Sequence, residues 1–204
     1  LWNYYYENGQ NQVIANYKEG FEEGTWEWYY ESGALMRSGI YKNGLFDGTW
    51  LNYSEDGVLV DSSNYSIGRL EGPYKAYYEN GQPAQIGSYS RDRQEGEFKL
   101  FYDNGVLNAS GSFKDGAFSG VWKFTNYDGT PSEEFNYIDG EKIRILNVWD
   151  SKGNQLVKDG NGTYISYFDE SQKSQDGKVS DGIKVGPWTT YYPSGKIKEI
   201  GEFK

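Results

Sequence analysis

The stretch GTWEWYYESGALMRSGIYKNGLFDG, residues 24–48, opens on one glycine and closes on another, with four aromatic residues near its start and Ser-Gly and Asn-Gly pairs inside. Its closing glycine begins a second copy, because Gly24, Gly48, Gly72, Gly96 and Gly120 stand 24 residues apart. With each of these counted as offset zero, glycines recur at offset nine (Gly33, Gly57, Gly81, Gly105, Gly129) and at offset twenty (Gly44, Gly68, Gly116, Gly140). Asp92 is the one break in the second series. Leu1 to Glu23 is the same unit without its first glycine. A fixed period of this size marks a repeat architecture in which each unit is one supersecondary element.

Each copy is predicted to be a β-hairpin. The first strand, as in TWEWYYE, is aromatic and β-branched, which suits a pleated, half-buried surface. Ser32-Gly33, Asp56-Gly57, Asn80-Gly81, Asn104-Gly105 and Asp128-Gly129 then supply two-residue hairpin loops. The second strand, as in ALMRSGIY, leads through a longer Lys-Asn-Gly turn into the next copy. With two loop residues, paired offsets sum to seventeen, so offset two faces offset fifteen and offset six faces offset eleven. Offset two holds rings (Trp2, Trp26, Trp50, Tyr74, Phe98, Trp122, Tyr164, Trp188), and offset fifteen holds Ala15, Gly39, Ser63, Gly87, Gly111, Gly177 and Gly201, with Phe135 the exception. A ring covering the glycine opposite it in the same hairpin accounts for both residues together.

Side-chain alternation then sorts the residues onto two faces. One gathers the offset-two rings, Tyr6, Tyr30, Tyr78, Tyr102, their expected partners Leu35, Leu59 and Leu107, and an aromatic row at offset seventeen; this is the structural face. The other is polar except for one aromatic column at offset five: Tyr5, Tyr29, Tyr53, Tyr77, Phe101, Trp149, Tyr167 and Tyr191. Beyond residue 143 the register changes. The seventh unit stops about six residues early, as if a whole turn were missing, Gly162 restarts the count, and Ser171 stands where an offset-nine glycine belongs. The chain therefore divides into six regular repeats (1–143) and irregular C-terminal repeats (144–204) continuous with the same sheet. The expected fold is all-β, an elongated single-sheet antiparallel meander of stacked 24-residue β-hairpin repeats that contact mainly their neighbours.

Composition narrows the chemistry. Tyr 20, Phe 10 and Trp 7 supply half of the 36% hydrophobic content, so apolar area comes from amphipathic rings and the core is thin. The formal net charge of -10 disfavours nucleic acid and anionic membranes as partners. Cys and His are both absent, which removes disulfides, Cys-His and Ser-His-Asp nucleophile systems and ordinary zinc sites. No cofactor and no metal site is expected. No apolar run is long enough to span a membrane.

YYENGQ, GTWEWYYESGALMRSGIYKNGLFDGTW and GPWTTYYPSGKIKEIGEF resemble the MORN-type repeats of the bacterial YwqK antitoxin family. The segments VWDSKGNQLVKDGNGTYISYF and VSDGIKVGPW are also similar to repeat regions of exported envelope proteins, including repeat modules attached to TonB-like proteins. The resemblance implies side-by-side hairpins and a cytoplasmic antitoxin. Against the cytoplasm, Leu1 without Met, the acidic Tyr/Asn/Gly-rich composition and the envelope-like C-terminal segment point to export, in the periplasm or at the outer membrane.

Three functional readings compete with a purely structural sheet. The offset-five column is either a packing ladder or a groove for another protein, since long exposed aromatic stripes are rare on soluble surfaces. Carbohydrate or cell-wall binding is the alternative, because the glycine and W-x-x-Y-Y spacing is similar to choline- and cell-wall-binding repeats. Neutralisation of a partner toxin is a further alternative, implied by the family resemblance. Glu23, Asp47, Glu71 and Glu95 each precede a repeat glycine, but one carboxylate per unit is too few for a calcium site, and turn chemistry is their expected role. Catalysis would need paired carboxylates from DGEK (139–142) or FDES (168–171), which carry no motif. The chain is thus expected to be a non-enzymatic interaction scaffold, a subunit or accessory of a larger bacterial assembly.

Overall fold

Two kinds of turn punctuate each repeat, and their backbone dihedrals tell them apart. At the tight one, Asn43 and Gly44 both lie in the left-handed region, with φ of 50° and 76°. Two successive positive values are the mark of a type I′ loop, whose twist matches that of the strands it joins. The same pair of values recurs at Glu19-Gly20, Ile67-Gly68, Arg91-Asp92, Asp115-Gly116, Asp159-Gly160 and Asp181-Gly182. Asp92, with φ of 68°, fills the glycine's place because a short polar side chain tolerates this conformation.

The offset-nine turn is the longer of the two. In the second repeat the Tyr30 carbonyl accepts from Gly33 N–H, the Tyr30 N–H donates to the Ala34 carbonyl, and Gly33 has φ of 88°. Three residues thus form a type I turn closed by a left-handed glycine. The sequence reading had assigned the two-residue loop to this turn and the longer one to Lys-Asn-Gly, and the assignment is the reverse. Asn-Gly and Ser-Gly pairs serve either geometry, so their identity alone does not decide between them.

The extra loop residue is compensated one step into the hairpin. Trp28 pairs with Arg37 but Tyr29 pairs with Leu35, leaving Met36 as a one-residue bulge. Register beyond the bulge returns to the expected sum, so Trp2 faces Ala15, Trp26 Gly39, Trp50 Ser63, Tyr74 Gly87, Trp122 Phe135, Tyr164 Gly177 and Trp188 Gly201. Register between bulge and turn does not, and the predicted pairing of offsets six and eleven gives way to five with eleven.

The computed structural model describes residues 1–138, 140, 142–168 and 172–204, with the Lys142 side chain left out; the carboxylates of 139, 141, 169 and 170 and the break at Ser171 lie outside. Its strands are β1 (Trp2–Tyr5), β2 (Asn11–Ala15), β3 (Tyr17–Lys18), β4 (Phe21–Glu22), β5 (Gly24–Tyr29), β6 (Leu35–Lys42), β7 (Leu45–Tyr53), β8 (Leu59–Ser66), β9 (Arg69–Tyr77), β10 (Pro83–Ser90), β11 (Arg93–Gln94) and β12 (Gly96–Phe101). There follow β13 (Leu107–Lys114), β14 (Ala117–Thr125), β15 (Pro131–Ile138), β16 (Lys142–Trp149), β17 (Gln155–Lys158), β18 (Asn161–Tyr167), β19 (Lys173–Ser180), β20 (Ile183–Tyr191) and β21 (Ile197–Phe203). The fold is all-β, an open antiparallel meander of hairpins with no helix among the described residues.

Contacts cluster into two units, residues 1–106 with 113–117 and residues 107–112 with 118–204. In the first, β1, β2, β5, β6, β7, β8, β9, β10 and β12 pair in chain order, each antiparallel to the last. Across the tight turns a second ladder forms: Gly44 N–H donates to the Glu22 carbonyl, Gly68 to Phe46, Asp92 to Leu70 and Gly116 to Gln94. In the second unit β14 to β21 pair consecutively.

The core is a row of rings set into glycines. Trp26, Trp50, Phe98, Trp122, Tyr164 and Trp188 are all buried. The ring over each glycine is not its registered hairpin partner, as the sequence reading had it, but the ring of the following repeat. A Cβ built on Gly39 would lie 2.1 Å from the Trp50 indole, one on Gly87 2.3 Å from Phe98, one on Gly111 2.3 Å from Trp122 and one on Gly177 2.3 Å from Trp188. Three indoles add a hydrogen bond, with Trp26, Trp122 and Trp188 Nε1–H donating to the carbonyls of Asn16, Ser112 and Lys178 at 2.9, 3.0 and 3.1 Å.

This coupling explains Phe135. The following repeat has Leu146 at offset two and therefore brings no ring, and Phe135 supplies one from the other side, opposite Ile145. Nor is a turn missing from the contracted repeat. Gly153 N–H closes a turn on the Asp150 carbonyl, and Asp159-Gly160 form a type I′ pair. What is short is the strand between them, β17, with 4 residues where β6 has 8. The Asp181-Gly182 turn settles against β16, where the Gly182 carbonyl accepts from Ile145 N–H and the Asp181 carbonyl from Arg144 Nη1.

Candidate partner-binding face

The bulge decides what accompanies the aromatic column. Because offset five pairs with offset eleven, Tyr29 stands opposite Leu35, Tyr53 opposite Leu59, Tyr77 opposite Pro83 and Tyr191 opposite Ile197. The leucines expected on the structural face thus join the other one. Sequence reasoning missed them because the longer turn shifts the residue next to it by one face and the bulge then restores the expected register, leaving no residue signature of its own. The column is therefore an aromatic row paired with an aliphatic one.

In the first unit Tyr5 is exposed, whereas Tyr29, Tyr53, Tyr77 and Phe101 are half-buried. In the second, Trp149 and Tyr191 are half-buried and Tyr167 is exposed. Thr125 takes the column position in its repeat, opposite Pro131, and Trp149 and Tyr167 face Gln155 and Lys173 in place of aliphatic partners. The structure thus places Tyr29, Tyr53 and Tyr77 at one register position of three successive hairpins.

The backbone of the column is held from the neighbouring repeat. Tyr6 donates its hydroxyl to the Tyr29 carbonyl at 2.7 Å, Tyr30 to the Tyr53 carbonyl at 2.9 Å and Tyr78 to the Phe101 carbonyl at 2.7 Å. At the turns Asn8 and Asn80 Nδ2 donate to the Glu31 and Asp103 carbonyls of the next copy. Tyr29 also donates to Glu27 Oε2 at 2.7 Å, and desolvation, aided by that carboxylate, pushes its phenol up to about 12. Tyr77 lines a shallow recess of about 340 Å³ with Leu51, Leu59, Pro73 and Lys75. Thr49, Ser62 and Asn64 complete the lining of that recess, so the rings and aliphatic side chains of the column stand among polar ones.

The line of acidic residues has a structural task. Glu23, Glu71 and Glu95 each accept, through Oε2, the backbone N–H of the first residue of the next tight turn, at Asn43, Arg91 and Asp115. No group of three or more acidic side chains placed to hold a metal occurs among the described residues. Arg69, Arg91 and Arg93 do come together at one recess, which the sequence gave no sign of, but it is shared with Glu95 and Asp115, and Arg93 lies 3.8 Å from Asp115.

The family described as MORN repeat variant matches residues 22–43, 70–91, 94–115 and 184–204. The first three windows start 48 and 24 residues apart, in phase with the glycine count, and each runs from the residue whose carbonyl receives the tight-turn bond to the next tight turn. The chain carries repeats of MORN type, an architecture consistent with a non-catalytic scaffold. No curated protein matches it.

Proposed function

We propose that this chain of MORN-type repeats is a protein-binding scaffold, a subunit or accessory of a larger bacterial assembly, and that the offset-five column is its contact surface. The observation that carries the reading is the pairing of half-buried rings with aliphatic side chains at Tyr29–Leu35, Tyr53–Leu59 and Tyr77–Pro83. Adjacent strands lie about 4.8 Å apart, so a ring once per hairpin recurs about every 10 Å, a spacing that matches an extended partner lying across the strands. The strands of Tyr29, Tyr53 and Tyr77 pair on both sides, so their backbone is engaged within the sheet and the side chains are left for recognition.

The test uses the native chain and the double variant Tyr53→Ser/Tyr77→Ser as matched baits, at a temperature where both are folded. A protein retained in stoichiometric amount by the native chain, and bound at least roughly 2 kcal/mol more weakly by the variant, supports the reading. Equal affinity rejects the column as the site. Retention of cell-wall polymer in place of a protein transfers the column to the carbohydrate reading, and a captured toxin whose activity is lost on binding identifies an antitoxin.

A further inference from the structure

Arg37 lies on the ring face of the sheet, opposite the offset-five column and in register with Trp28. Its guanidinium rests on three rings, with Cζ 4.5 Å from the centre of Trp50, 5.1 Å from Phe46 and 5.7 Å from Trp28. Stacking of this kind fixes the plane of the fork. No carboxylate among the described residues pairs with it. Asp61, at the same offset of the next repeat, accepts instead from Asn52 Nδ2 at 2.9 and 3.1 Å and from Ser63 Oγ at 3.1 Å. Arg37 Nε is buried without an acceptor, and the two Nη groups, bonded to no described residue, reach solvent.

The surroundings add further donors. The Trp50 indole N–H is also buried without a partner, whereas those of Trp26, Trp122 and Trp188 each reach a carbonyl. Tyr41 and Tyr65, on the strands either side of Phe46, meet its ring edge-on at 5.1 and 5.2 Å, and their hydroxyls bond to no described residue. Burial raises both phenols, and the Arg37 charge pulls against that rise, so the guanidinium is felt at both hydroxyls. Glu22 acts on Tyr41, and Asp61 and Asp92 on Tyr65, more weakly than Arg37 does.

We propose that Arg37, flanked by Tyr41 and Tyr65, is a binding site for a small organic carboxylate with a flat apolar body. A planar guanidinium held by rings presents its Nη groups to both carboxylate oxygens at once. One guanidinium balances one charge, and a floor of rings disfavours a strongly hydrated dianion, so a monocarboxylate fits better than a phosphate. The phenol hydroxyls are donors for the same oxygens, and the aromatic rings give an apolar body its contact area. The site uses the face opposite the offset-five column, so it stands or falls independently of the protein-partner reading.

The test titrates naphthoate, with naphthalene-methanol as its uncharged equivalent, into the isotope-labelled 204-residue chain and follows it by nuclear magnetic resonance. The Arg37 Nε–H and Trp50 Nε1–H signals report on the site directly. The expected result is a saturable shift of both with naphthoate, and affinity lower by roughly tenfold or more for the alcohol and for Arg37→Gln, in which the Trp50 signal alone is read. If Arg37→Gln loses the native strand signal in circular dichroism, the double variant Tyr41→Phe/Tyr65→Phe, which keeps both rings, takes its place and should bind naphthoate roughly threefold or more weakly. No saturable shift, equal affinity for the acid and the alcohol, inorganic phosphate bound more tightly than naphthoate, or full affinity in the folded variant overturns the proposal.

Discussion

Trp50 lies on Gly39, although Gly39 pairs in the ladder with Trp26: a Cβ on Gly39 would fall 2.1 Å from the Trp50 ring, which is fully buried. The ring cannot yield without moving its own neighbours, since Phe46, Trp28 and Tyr41 lie 4.2, 5.6 and 5.1 Å from it and the Arg37 guanidinium sits 4.5 Å above. Gly39→Val should therefore overpack the joint and destabilise the chain by about 2 to 3 kcal/mol. Gly201→Val, at the same offset with no ring above it, should stay within about 0.5 kcal/mol of the native chain. Urea unfolding of both variants checks the contrast, and equal effects would remove the interlocking ring as its cause.

Ile67 opens a tight turn at φ of 50° and is 75% exposed. A β-branched residue is strained in the left-handed region, and at this exposure little burial offsets the strain. Asn stands at the equivalent position, Asn43, with the same φ. Ile67→Asn should raise stability by about 1 kcal/mol, which for a chain of this size is about 2 to 4 °C in thermal midpoint. Differential scanning calorimetry measures it, and a lowered midpoint would show that the contacts of Ile67 outweigh its backbone strain.

Glu133 carries a pH dependence of definite sign. Burial raises its carboxyl above the ordinary value, an effect that the hydrogen bond from the Tyr164 hydroxyl at 3.2 Å only partly offsets. The folded state thus holds the proton more tightly than the unfolded one, and this group's contribution to stability is full below the ordinary carboxyl range and is lost as pH rises through the raised value. Glu133→Gln keeps an acceptor for Tyr164 and removes the charge. The variant should be more stable than the native chain at pH 7, with the advantage shrinking as the pH is lowered toward 4. An advantage that is constant across that range would assign the effect to packing.

The period, the strand count per repeat and the pairing of offset two with offset fifteen were legible because phased glycines and rings report directly on close approach. Two features were not. Asn-Gly and Ser-Gly serve both turn types, so the loop lengths were assigned to the wrong turns, and the bulges at Met36 and Val60 then hid the shift of Leu35 and Leu59 onto the face of Tyr29 and Tyr53. The ring-glycine coupling was visible as a correlation but ambiguous in direction, since every internal glycine has a ring on each flanking strand. Phe135 was the clue: it departs from glycine where the following repeat, not its own, lacks a ring.

The direction of that coupling is the central claim, and Gly87 separates its two forms because Tyr74 stands opposite it in the hairpin while the Phe98 ring lies 2.3 Å from where its Cβ would be. The deciding measurement is a pair of double-mutant cycles in urea, Gly87→Val combined once with Phe98→Ala and once with Tyr74→Ala. The structure predicts that removing the Phe98 ring relieves most of the cost of the valine, with a coupling of about 1 to 3 kcal/mol, and that removing the Tyr74 ring relieves little of it. Larger coupling to Tyr74 than to Phe98 would contradict the interlock between successive repeats and return each ring to its own hairpin.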